Sequence, residues 1–282
     1  MGDADELDGY EPDKLGEWSE RKIAIVSKYA AAYANILVGQ RLKHFYIDGF
    51  AGGPIALRKE TGEQIATTAR RILEIEPAFA GYHLVDADAG KVAAMASACA
   101  GRPQARVVHG DANKVLPGIF ETIRYSDFKR ALCFLDPYKI LLDWQVICAA
   151  GRMKTIEAFI HFPTGDIQRN VLRNNPNELV PAEVVRMNAL WGDESWREVA
   201  YGNHPTLFGP ELKKQPIDDL LKAFADRLKK VAGFKYVSQA LPMRNSTGVT
   251  LYHLIFATHY EVAVRIANGV LKSESARKID GK

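Results

Sequence analysis

Cysteine is scarce in this sequence, and the three cysteines that are present form no disulfide framework. Cys99, Cys133 and Cys148 are odd in number, widely spaced and set in apolar surroundings. Such residues are typical of reduced core cysteines in a cytosolic protein. No H-x-x-H, C-x-x-C or carboxylate-histidine cluster occurs that would bind a metal. We therefore expect neither a disulfide scaffold nor a metal site.

The sequence also lacks a long apolar run and a strong excess of charge. No apolar segment approaches the roughly 20 residues that span a bilayer. The acidic start MGDADELDGY does not resemble a secretory signal, and Glu6 stands where a myristoylation signal needs serine or threonine. We expect a cytoplasmic protein with no membrane partner. The net charge of +3 gives no strong argument for nucleic acid, although a local basic groove is compatible with it.

What the sequence does contain is a regular alternation of short apolar segments with helical ones. A long helix is predicted from Ser19, as its N-cap, to about Gln40. Helices are also predicted between the strands, the first of them over IATTARRILEIE. Five strands are predicted at KHFYIDGFAGG, YHLVDAD, ARVVHGDA, RALCFLDPY and IEAFIHFP. Because these strands are apolar throughout, they are expected to be buried on both faces of a parallel, doubly wound sheet.

Beyond Pro163 the alternation stops. Residues 165–215 have weak periodicity and several prolines, which indicates an insertion, and a helix follows over PIDDLLKAFADRLKKVA. The segments FKYVSQALP and TLYHLIFAT flank a turn-rich stretch, which predicts a hairpin. The predicted fold is α/β: a mostly parallel, seven-stranded, Rossmann-like sheet of the class I methyltransferase type, with an antiparallel C-terminal hairpin and a helical insertion after strand 5. The domain is expected to span 19–272, after a disordered or loosely packed 1–18 and before a flexible tail at 273–282.

Acidic residues stand at or just after the ends of four predicted strands: Asp48, Asp86, Asp111 and Asp136. In open α/β sheets, ligands bind at the edge where the carboxyl ends of the strands meet. Four carboxylates at that edge predict a ligand site.

The stretch HFYIDGFAGGP fits a loop that binds S-adenosylmethionine. Asp48 would bind the methionine ammonium, and glycines such as Gly49 and Gly52, together with Phe50, would let the backbone approach the cofactor. The dehydrogenase pattern G-x-G-x-x-G is not matched, so a dinucleotide is disfavoured. A tight structural turn with a solvated aspartate explains this stretch equally well when it is taken alone.

Two further acids extend the predicted cofactor site. Asp86 is placed to accept hydrogen bonds from the ribose hydroxyls, with Asp88 as a competitor that is also a natural helix N-cap. Asp111, with the neighbouring Ala112, would bind the adenine amino group and the adenine ring. By itself Asp111 is explained slightly better as a helix N-cap, and the series with Asp48 and Asp86 favours the cofactor.

The segment CFLDPYK is predicted to carry the chemistry. Enzymes that methylate amino groups in this class use an Asp/Asn-Pro-Pro-aromatic turn to hold the target NH2 in line with the sulfonium methyl. Here Asp136, Pro137 and Tyr138 supply an acceptor, a rigid turn and a ring, although only one proline is present. A purely structural tyrosine turn is the less favoured alternative.

Other residues have weaker interpretations. His161 is expected to be packed and hydrogen-bonded rather than part of the site. Trp191 and Trp196 are expected either to form a lid or partner surface or to anchor the insertion in the core. The lysines near Lys213 and the run from Arg227 to Lys230 are expected to be solvated helix faces, with phosphate contacts as the alternative.

Several motifs, taken in order, resemble the three-Cys-motif partner proteins (TcmP) of bacteria and their phages. They are WSERKIAIVSKYAAAYANIL, YIDGFAGGP, VVHGDAN, CFLDPYKILLDW and YHLIFAT. The resemblance runs from Trp18 to Thr258 and implies a methyltransferase-like fold and a separate partner, a three-Cys-motif protein that resembles a radical S-adenosylmethionine enzyme. Two departures from the family are Gly53-Pro54 in place of Pro-Gly, and Lys139 in place of glycine.

The predicted function is S-adenosylmethionine-dependent methylation of an amino group, with a nucleic-acid base as the leading substrate. The cofactor would be bound by Asp48, Gly52, Asp86 and Asp111. One alternative is a catalytically inactive subunit that keeps the cofactor pocket and binds the three-Cys-motif protein. A small-molecule methyltransferase is the other.

Overall fold

The strands of the fold fall into one large and two small sheets in the computed structural model, which describes residues 10–206 and 209–276. Within those ranges the strands are β1 (Lys14–Leu15), β2 (Lys43–Asp48), β3 (Ile55–Arg58), β4 (Gln64–Ala66), β5 (Gly81–Asp86), β6 (Ala105–His109), β7 (Lys129–Leu135), β8 (Ile156–Phe162), β9 (Tyr201–Thr206), β10 (Gly209–Lys214), β11 (Tyr236–Val237), β12 (Leu241–Arg244) and β13 (Thr250–Thr258).

The central sheet is mostly parallel. Its strand order is β11-β13-β8-β7-β2-β5-β6, and β12 also pairs with β13. Strands β2, β5, β6, β7 and β8 are mutually parallel, whereas β13 is antiparallel to β8. Strands β7 and β8 are buried almost throughout, as their continuous apolar character predicts. The fold is therefore mixed α/β with a mostly parallel central sheet, in agreement with that part of the prediction.

The sheet has eight strands in the described part of the chain, where the sequence predicts seven. The difference lies in FKYVSQALP, which forms two short strands, β11 and β12, instead of one. The Ser238 amide donates to the Phe256 carbonyl at 2.8 Å, but the Phe256 amide donates to the Ser238 side-chain oxygen at 2.9 Å. Because a hydroxyl replaces a backbone carbonyl there, the ladder is interrupted between the two strands.

Helices cover both faces of the central sheet. Along β2, Tyr46 packs in one hydrophobic cluster with Tyr29, while its neighbour Ile47 packs in the other with Leu116. This alternation follows from the two-residue period of a strand. The helices in the described ranges are α1 (Glu17–Gly39), α2 (Thr68–Ile72), α3 (Ala89–Ala98), α4 (Ala112–Glu121), α5 (Trp144–Met153), α6 (Thr164–Asp166), α7 (Pro181–Trp191), α8 (Trp196–Ala200), α9 (Ile217–Lys230) and α10 (Glu261–Ala276).

Two element boundaries differ from the prediction, and one helix is absent from it. Helix α1 begins two residues before Ser19, which is buried within its first turn, and Gly16 is the N-cap. The helix predicted from Ile65 begins only at Thr68, because Gln64–Ala66 pairs with β3 as β4. The sequence prediction contains no counterpart of α10, which follows β13.

Part of the N-terminal segment that the sequence predicts to be loosely packed is ordered. Lys14–Leu15 pairs in parallel with β3, next to the pairing of β3 with β4. Residues 1–9 lie outside the described residues. At the other end, α10 continues to Ala276 and so includes the first residues of the predicted flexible tail, 273–276, whereas residues 277–282 lie outside the described part.

The insertion between β8 and α9 is anchored in the core by its tryptophans. Trp191 is 1% exposed and Trp196 is 0% exposed, so the predicted lid or partner surface is wrong and the anchor interpretation holds. Arg227 is not part of a solvated face either, because its guanidinium lies 5.2 Å from the Trp191 ring centroid and donates to the Trp191 carbonyl at 2.7 Å. Besides helices, the insertion contains the antiparallel pair β9 and β10.

Cys99 and Cys133 are buried, Cys148 is half-buried, and all three are free thiols. Within residues 10–206 and 209–276, no helix has the length and apolar character that crossing a membrane requires.

Close packing of α5 against the loop before β11 gives a test of the fold. A Cβ at position 151 would lie 2.0 Å from the Ala232 carbonyl oxygen, a backbone atom that cannot move alone. We expect Gly151→Ala to destabilise the protein by about 1–3 kcal/mol through overpacking. Gly118→Ala in α4 is the matched control, because a Cβ there meets nothing within 4 Å, and it should stabilise the helix by about 0.5–1 kcal/mol. Urea unfolding measures the free energy of unfolding of both variants. Equal stabilities of Gly151→Ala and Gly118→Ala would contradict the close packing of Gly151 on Ala232.

Candidate functional site

The four predicted acids lie at one edge of the central sheet. Asp48 and Asp86 are the last residues of β2 and β5, Asp136 directly follows β7, and Asp111 follows β6 by two residues. Since these strands are parallel, their carboxyl ends share an edge. The topology therefore brings the predicted cofactor and catalytic residues to the same side of the molecule.

Asp48 is a buried carboxyl at the end of β2. It is 1% exposed, accepts a hydrogen bond from the Tyr46 hydroxyl at 2.8 Å and one from the Phe50 amide at 3.1 Å. Burial raises the pKa of Asp48 to about 7, against these hydrogen bonds, and the nearby Asp136 and Asp86 carboxylates add to the rise. No lysine or arginine forms a salt bridge with Asp48 among the residues that the structure describes, and Lys22, which pairs with Asp136, acts on Asp48 only through its charge. A buried acid without a positive partner is poised to bind a cationic group.

Asp86 binds the glycine loop directly. Its Oδ2 accepts from the Gly52 amide at 2.8 Å, and its Oδ1 accepts from the Asp88 amide at 2.9 Å. Gly52 has φ +64°, a left-handed conformation that favours glycine. Asp88 caps α3 by accepting from the Lys91 amide at 2.9 Å. Asp88 thus acts as the helix N-cap and Asp86 faces the loop, while the assignment of Asp86 to the ribose stays a prediction.

The first residues of the loop are held to both neighbouring strands. The Gly49 amide donates to the Phe134 carbonyl at 3.0 Å, and the Ala51 amide donates to the Val85 carbonyl at 2.9 Å. A Cβ on Gly49 would lie 2.9 Å from the Leu116 side chain. These contacts fix the loop between β5 and β7, so the backbone around Phe50 is rigid.

Asp111 takes the role of a helix N-cap. Its Oδ1 accepts from the Asn113 amide at 2.9 Å, and its side chain is exposed, whereas Ala112 is buried. Asn113 in turn donates to the Leu141 carbonyl at 2.8 Å and accepts from the Asp143 amide at 2.9 Å. Asp111 therefore has the structural function that the sequence left open, and its exposed carboxylate still borders the same edge.

Asp136 is held between two basic side chains. The Lys22 ammonium donates to Oδ2, and His161 Nδ1 lies 2.8 Å from Oδ1. The three side chains are only 12%, 16% and 10% exposed for Lys22, Asp136 and His161. Burial opposes ionisation, but Lys22 and His161 outweigh it and lower the pKa of Asp136 to about 2. The carboxylate is therefore ionised and fixed in orientation.

Aromatic rings enclose this triad, by which we mean Lys22, Asp136 and His161. The His161 ring stacks on Tyr252 with centroids 4.1 Å apart and an interplanar angle of 19°. The Lys22 ammonium lies 5.3 Å from the Tyr252 ring and 5.8 Å from the Phe134 ring. Burial lowers the pKa of His161, in spite of its bond to Asp136, so the imidazole is neutral near pH 7. The rings exclude water and strengthen the electrostatic interactions of the triad.

The turn after Asp136 presents an aromatic ring to solvent. Pro137 is buried, while Tyr138 is 87% exposed. The Lys139 ammonium lies 5.7 Å from the Tyr138 ring. A ring that is held on a short turn and left open on one face can stack on a planar substrate.

An N-terminal residue packs on the loop from outside. A Cβ on Gly53 would lie 2.0 Å from the Tyr10 ring, and the Tyr10 hydroxyl donates to the Ile55 carbonyl. Burial raises the pKa of Tyr10 to about 12, with Asp13, Asp86 and Asp88 as nearby negative charges. Gly53 is thus needed for the close approach of Tyr10, and Tyr10 forms a wall beside Asp86.

The residues at this edge fit S-adenosylmethionine. Asp48, Asp86 and Asp111 form no ion pair with a lysine or arginine within the described ranges. The cofactor brings an ammonium, a sulfonium and ribose hydroxyls, which such carboxylates bind. A carboxylate oxygen that accepts one amide bond keeps a lone pair for a further donor, so the bonds of Asp86 to the loop leave room for a diol. No cluster of metal-binding side chains occurs in the part of the chain described.

Three residues of the site were missed by the sequence prediction. Lys22 lies in a helix whose other residues form a regular pattern, and a single lysine there carries no local signal. Tyr252 and Tyr10 are distant in sequence from the residues they contact. His161 is hydrogen-bonded, as expected, but its partner Asp136 makes it part of the site.

Comparisons with known proteins establish the fold but not the family. No family model matches the chain, and no curated protein matches it. Protein LPL1258 of Legionella pneumophila str. Philadelphia 1, of the family model DUF519, covers 89% of this chain and 92% of its own length at 9% identity and a TM-score of 0.50. The Escherichia coli protein yhhF, to which a methyltransferase activity is ascribed, covers 83% and 87% at 12% identity and a TM-score of 0.34. The first similarity supports the α/β fold alone, and the second is too low to support an inference.

Proposed function

We propose that the protein is an S-adenosylmethionine-dependent methyltransferase that acts on an amino nitrogen. The observation that carries the proposal is the triad at the end of β7, which lies beside the Asp48–Gly52–Asp86 loop and holds an ionised carboxylate in a fixed orientation. An acceptor next to a cofactor loop is what the positioning of an amine requires.

On the cofactor side, each acid would bind a different part of S-adenosylmethionine. Asp48 would hold the methionine ammonium, since a cation lowers the cost of ionising this buried carboxyl. Asp86 would accept from the ribose hydroxyls, and Asp111 with Ala112 would border the adenine. The cofactor supplies an electrophilic methyl on its sulfonium.

On the substrate side, Asp136 would accept a hydrogen bond from the target NH2. With a pKa near 2 the carboxylate is a poor proton acceptor, so its role is to orient the amine and to stabilise the positive charge that develops on nitrogen. Lys22 and His161 keep it in place during the reaction.

Tyr138 and Lys139 favour a planar, anionic substrate such as a nucleic-acid base in a strand. The exposed Tyr138 ring would stack on the base. The Lys139 ammonium beside it would meet a phosphate. Lysine in place of glycine thus fits the same substrate class.

One observation favours the rival function, a non-catalytic subunit that binds the cofactor. Both oxygens of Asp136 already accept a bond from a basic side chain, which lowers their availability to a substrate. In either case the proposed partner is the three-Cys-motif protein that the sequence resemblance implies. A small-molecule methyltransferase would need no partner and no nucleic acid.

Calorimetry with S-adenosylmethionine tests the cofactor site. The wild-type protein should bind, and Asp86→Asn should weaken binding about tenfold or more, because the charged acceptor of the ribose is lost and the asparagine NH2 cannot accept the amide bond of Gly52 or of Asp88. Asp88→Asn is the matched control, since asparagine caps α3 equally well. No heat with the wild type, or equal loss in both variants, would refute the cofactor site.

An assay of labelled methyl transfer then distinguishes a methyltransferase from a non-catalytic subunit. DNA, RNA and protein are each offered with and without the three-Cys-motif partner. Cofactor binding with no transfer in any mixture would reject the enzyme and favour the non-catalytic subunit. Transfer to a small amine alone would favour the small-molecule enzyme.

A further inference from the structure

A cavity lies at the opposite edge of the sheet from the candidate site. Its volume is about 380 Å³, within the size range of small-molecule sites. It is bordered by Arg130 and Glu157, the second residues of β7 and β8, while Asp136 and His161 lie at the other end of the same strands. Glu157 and His161 are four residues apart, which corresponds to about 13 Å along a strand. The cavity is therefore distinct from the edge that carries the acids.

The walls of the cavity are mainly aromatic and aliphatic. They come from the C-terminal half of α1, from the residues around β11, and from the start of α10. Ile36, which belongs to the apolar stripe of α1, is 38% exposed at this place instead of packed in the core. The walls that matter to the argument are Tyr29, Tyr33, Ile36, Tyr236, Tyr260 and Ile266.

Glu157 is a buried acid in this cavity without an ion-pair partner. It is 6% exposed, and its Oε2 accepts a hydrogen bond from the Tyr29 hydroxyl. Burial raises the pKa of Glu157 to about 7, although Tyr29, Thr258 and Arg130 act in the opposite direction. Buried glutamates are rare unless they are paired, so this one needs an explanation.

Arg130 does not supply that pair. Its Nε donates to the Tyr260 hydroxyl at 3.0 Å, its Nη1 donates to the Lys129 carbonyl at 2.7 Å, and its guanidinium stacks 4.1 Å from the Tyr125 ring centroid. Among the described residues no salt bridge within 4 Å joins Arg130 to Glu157. Two of the three guanidinium nitrogens are thus engaged elsewhere, and Arg130 acts on Glu157 through its charge, which lowers the pKa of that carboxyl, and not through a salt bridge. The carboxyl oxygens keep lone pairs that can accept from a further cation.

Besides Glu157, the cavity contains two buried polar atoms that have no hydrogen-bond partner within the described residues. They are the hydroxyl of Tyr33, which is 4% exposed, and Nε2 of His259. Burial lowers the pKa of His259, so the ring is neutral, and the Gly151 backbone engages the ring as well. With that bond on the other nitrogen, Nε2 accepts hydrogen bonds. Glu157 and His259 both accept, and Tyr33 can do either.

We propose that this cavity binds a small organic cation, an amine with an apolar or aromatic body. The ammonium would donate to Glu157 and to the open acceptors, and the tyrosine faces would surround it, as aromatic rings do for cations in many sites. The apolar body would cover Ile36 and Ile266. An anion would face the Glu157 carboxylate instead, and a neutral alcohol would leave that carboxylate unpaired. This inference does not depend on the proposed methyltransferase function.

Phenethylamine is the probe for a first test, with 2-phenylethanol and phenylacetate as the neutral and anionic analogues. Saturation-transfer NMR and calorimetry on the full chain should detect the amine and not the analogues. Glu157→Gln should weaken the amine about tenfold or more, because the charged acceptor is lost while the Tyr29 bond is kept. Glu261→Gln is the matched control: the same substitution at an exposed acid that lines the same cavity should change the affinity less than about twofold.

The pH dependence of the wild-type protein provides a readout that needs no variant. Affinity for phenethylamine, which stays protonated, should fall as the pH drops below about 7 and Glu157 takes up a proton. The groups that face Glu157 or share its cavity are Tyr29, Tyr33, Arg130, Lys235, Tyr236, Thr258, His259, Tyr260 and Glu261. No binding by the wild type, equal binding by Glu157→Gln, equal binding of phenylacetate, or affinity that does not change with pH would each overturn the proposal.

Discussion

Lys22→Met should destabilise the protein by about 3–5 kcal/mol and remove methyl transfer. The substitution leaves the Asp136 carboxylate buried with only His161 as a partner, and breaking one side of a buried ion pair carries a cost of this size. The remaining acceptor would also lose its fixed orientation, and the pKa of Asp136 would rise. Urea unfolding and transfer of labelled methyl measure the two effects.

A lysine in an exposed ion pair provides the control. Lys230 pairs with Asp226, and their side chains are 76% and 50% exposed, so Lys230→Met should cost less than about 1 kcal/mol. If both variants lost equal stability, the buried triad would have no special role. If Lys22→Met folded and transferred methyl at the wild-type rate, Lys22 would not position the acceptor.

The same triad predicts how acid affects the wild-type protein. The pKa of Asp136 in the folded protein, near 2, lies below its ordinary value of 3.8, so the folded state favours the ionised carboxylate. The stabilising contribution is therefore complete above about pH 4 and is lost as the pH falls towards 2; the shift corresponds to about 2 kcal/mol. In Lys22→Met this loss should begin at higher pH.

The central strands were predictable because their sequence pattern is local. Segments such as RALCFL are apolar throughout, and this character alone indicates a strand buried on both faces. The shared position of the acids at one edge of the sheet is also predictable, because parallel strands bring their carboxyl ends together. The sequence therefore predicts that Asp48, Asp86 and Asp136 lie at one edge, as they do.

The rest depends on contacts between distant parts of the chain. Lys22 and Asp136 are separated by 114 positions, and neither segment contains a signal for the other. The split between β11 and β12 depends on the Ser238 hydroxyl in place of a carbonyl, which no propensity encodes. Tyr10 reaches Gly53 only because β1 pairs with β3.

Asp48→Asn should stabilise the ligand-free protein and weaken cofactor binding at the same time. At neutral pH the wild-type protein bears the cost of a buried carboxyl whose pKa is raised from 3.8 to about 7. Asparagine removes the charge and can keep both bonds, since its oxygen can accept from the Phe50 amide and the Tyr46 hydroxyl can accept from its NH2. We expect about 2–4 kcal/mol of added stability above pH 7.

The sign of the pH dependence separates this explanation from simple repacking. A raised acid pKa carries no cost below about pH 4, where the carboxyl is protonated in both the folded and unfolded states, and the cost grows until the pH passes 7. The stability gain of Asp48→Asn should therefore vanish near pH 4 in urea titrations. Asp88→Asn, at an exposed acid of the same edge, should change stability by less than about 0.5 kcal/mol at either pH.

Calorimetry completes the argument, because stability and affinity should change in opposite directions. Asparagine cannot neutralise the methionine ammonium, so affinity for S-adenosylmethionine should fall about 10- to 100-fold. A variant that gained stability and kept full affinity would mean that Asp48 is buried for another reason. Loss of both would mean that the carboxylate is needed for the loop itself. Only the opposite changes identify Asp48 as a binding group that is retained at the expense of stability.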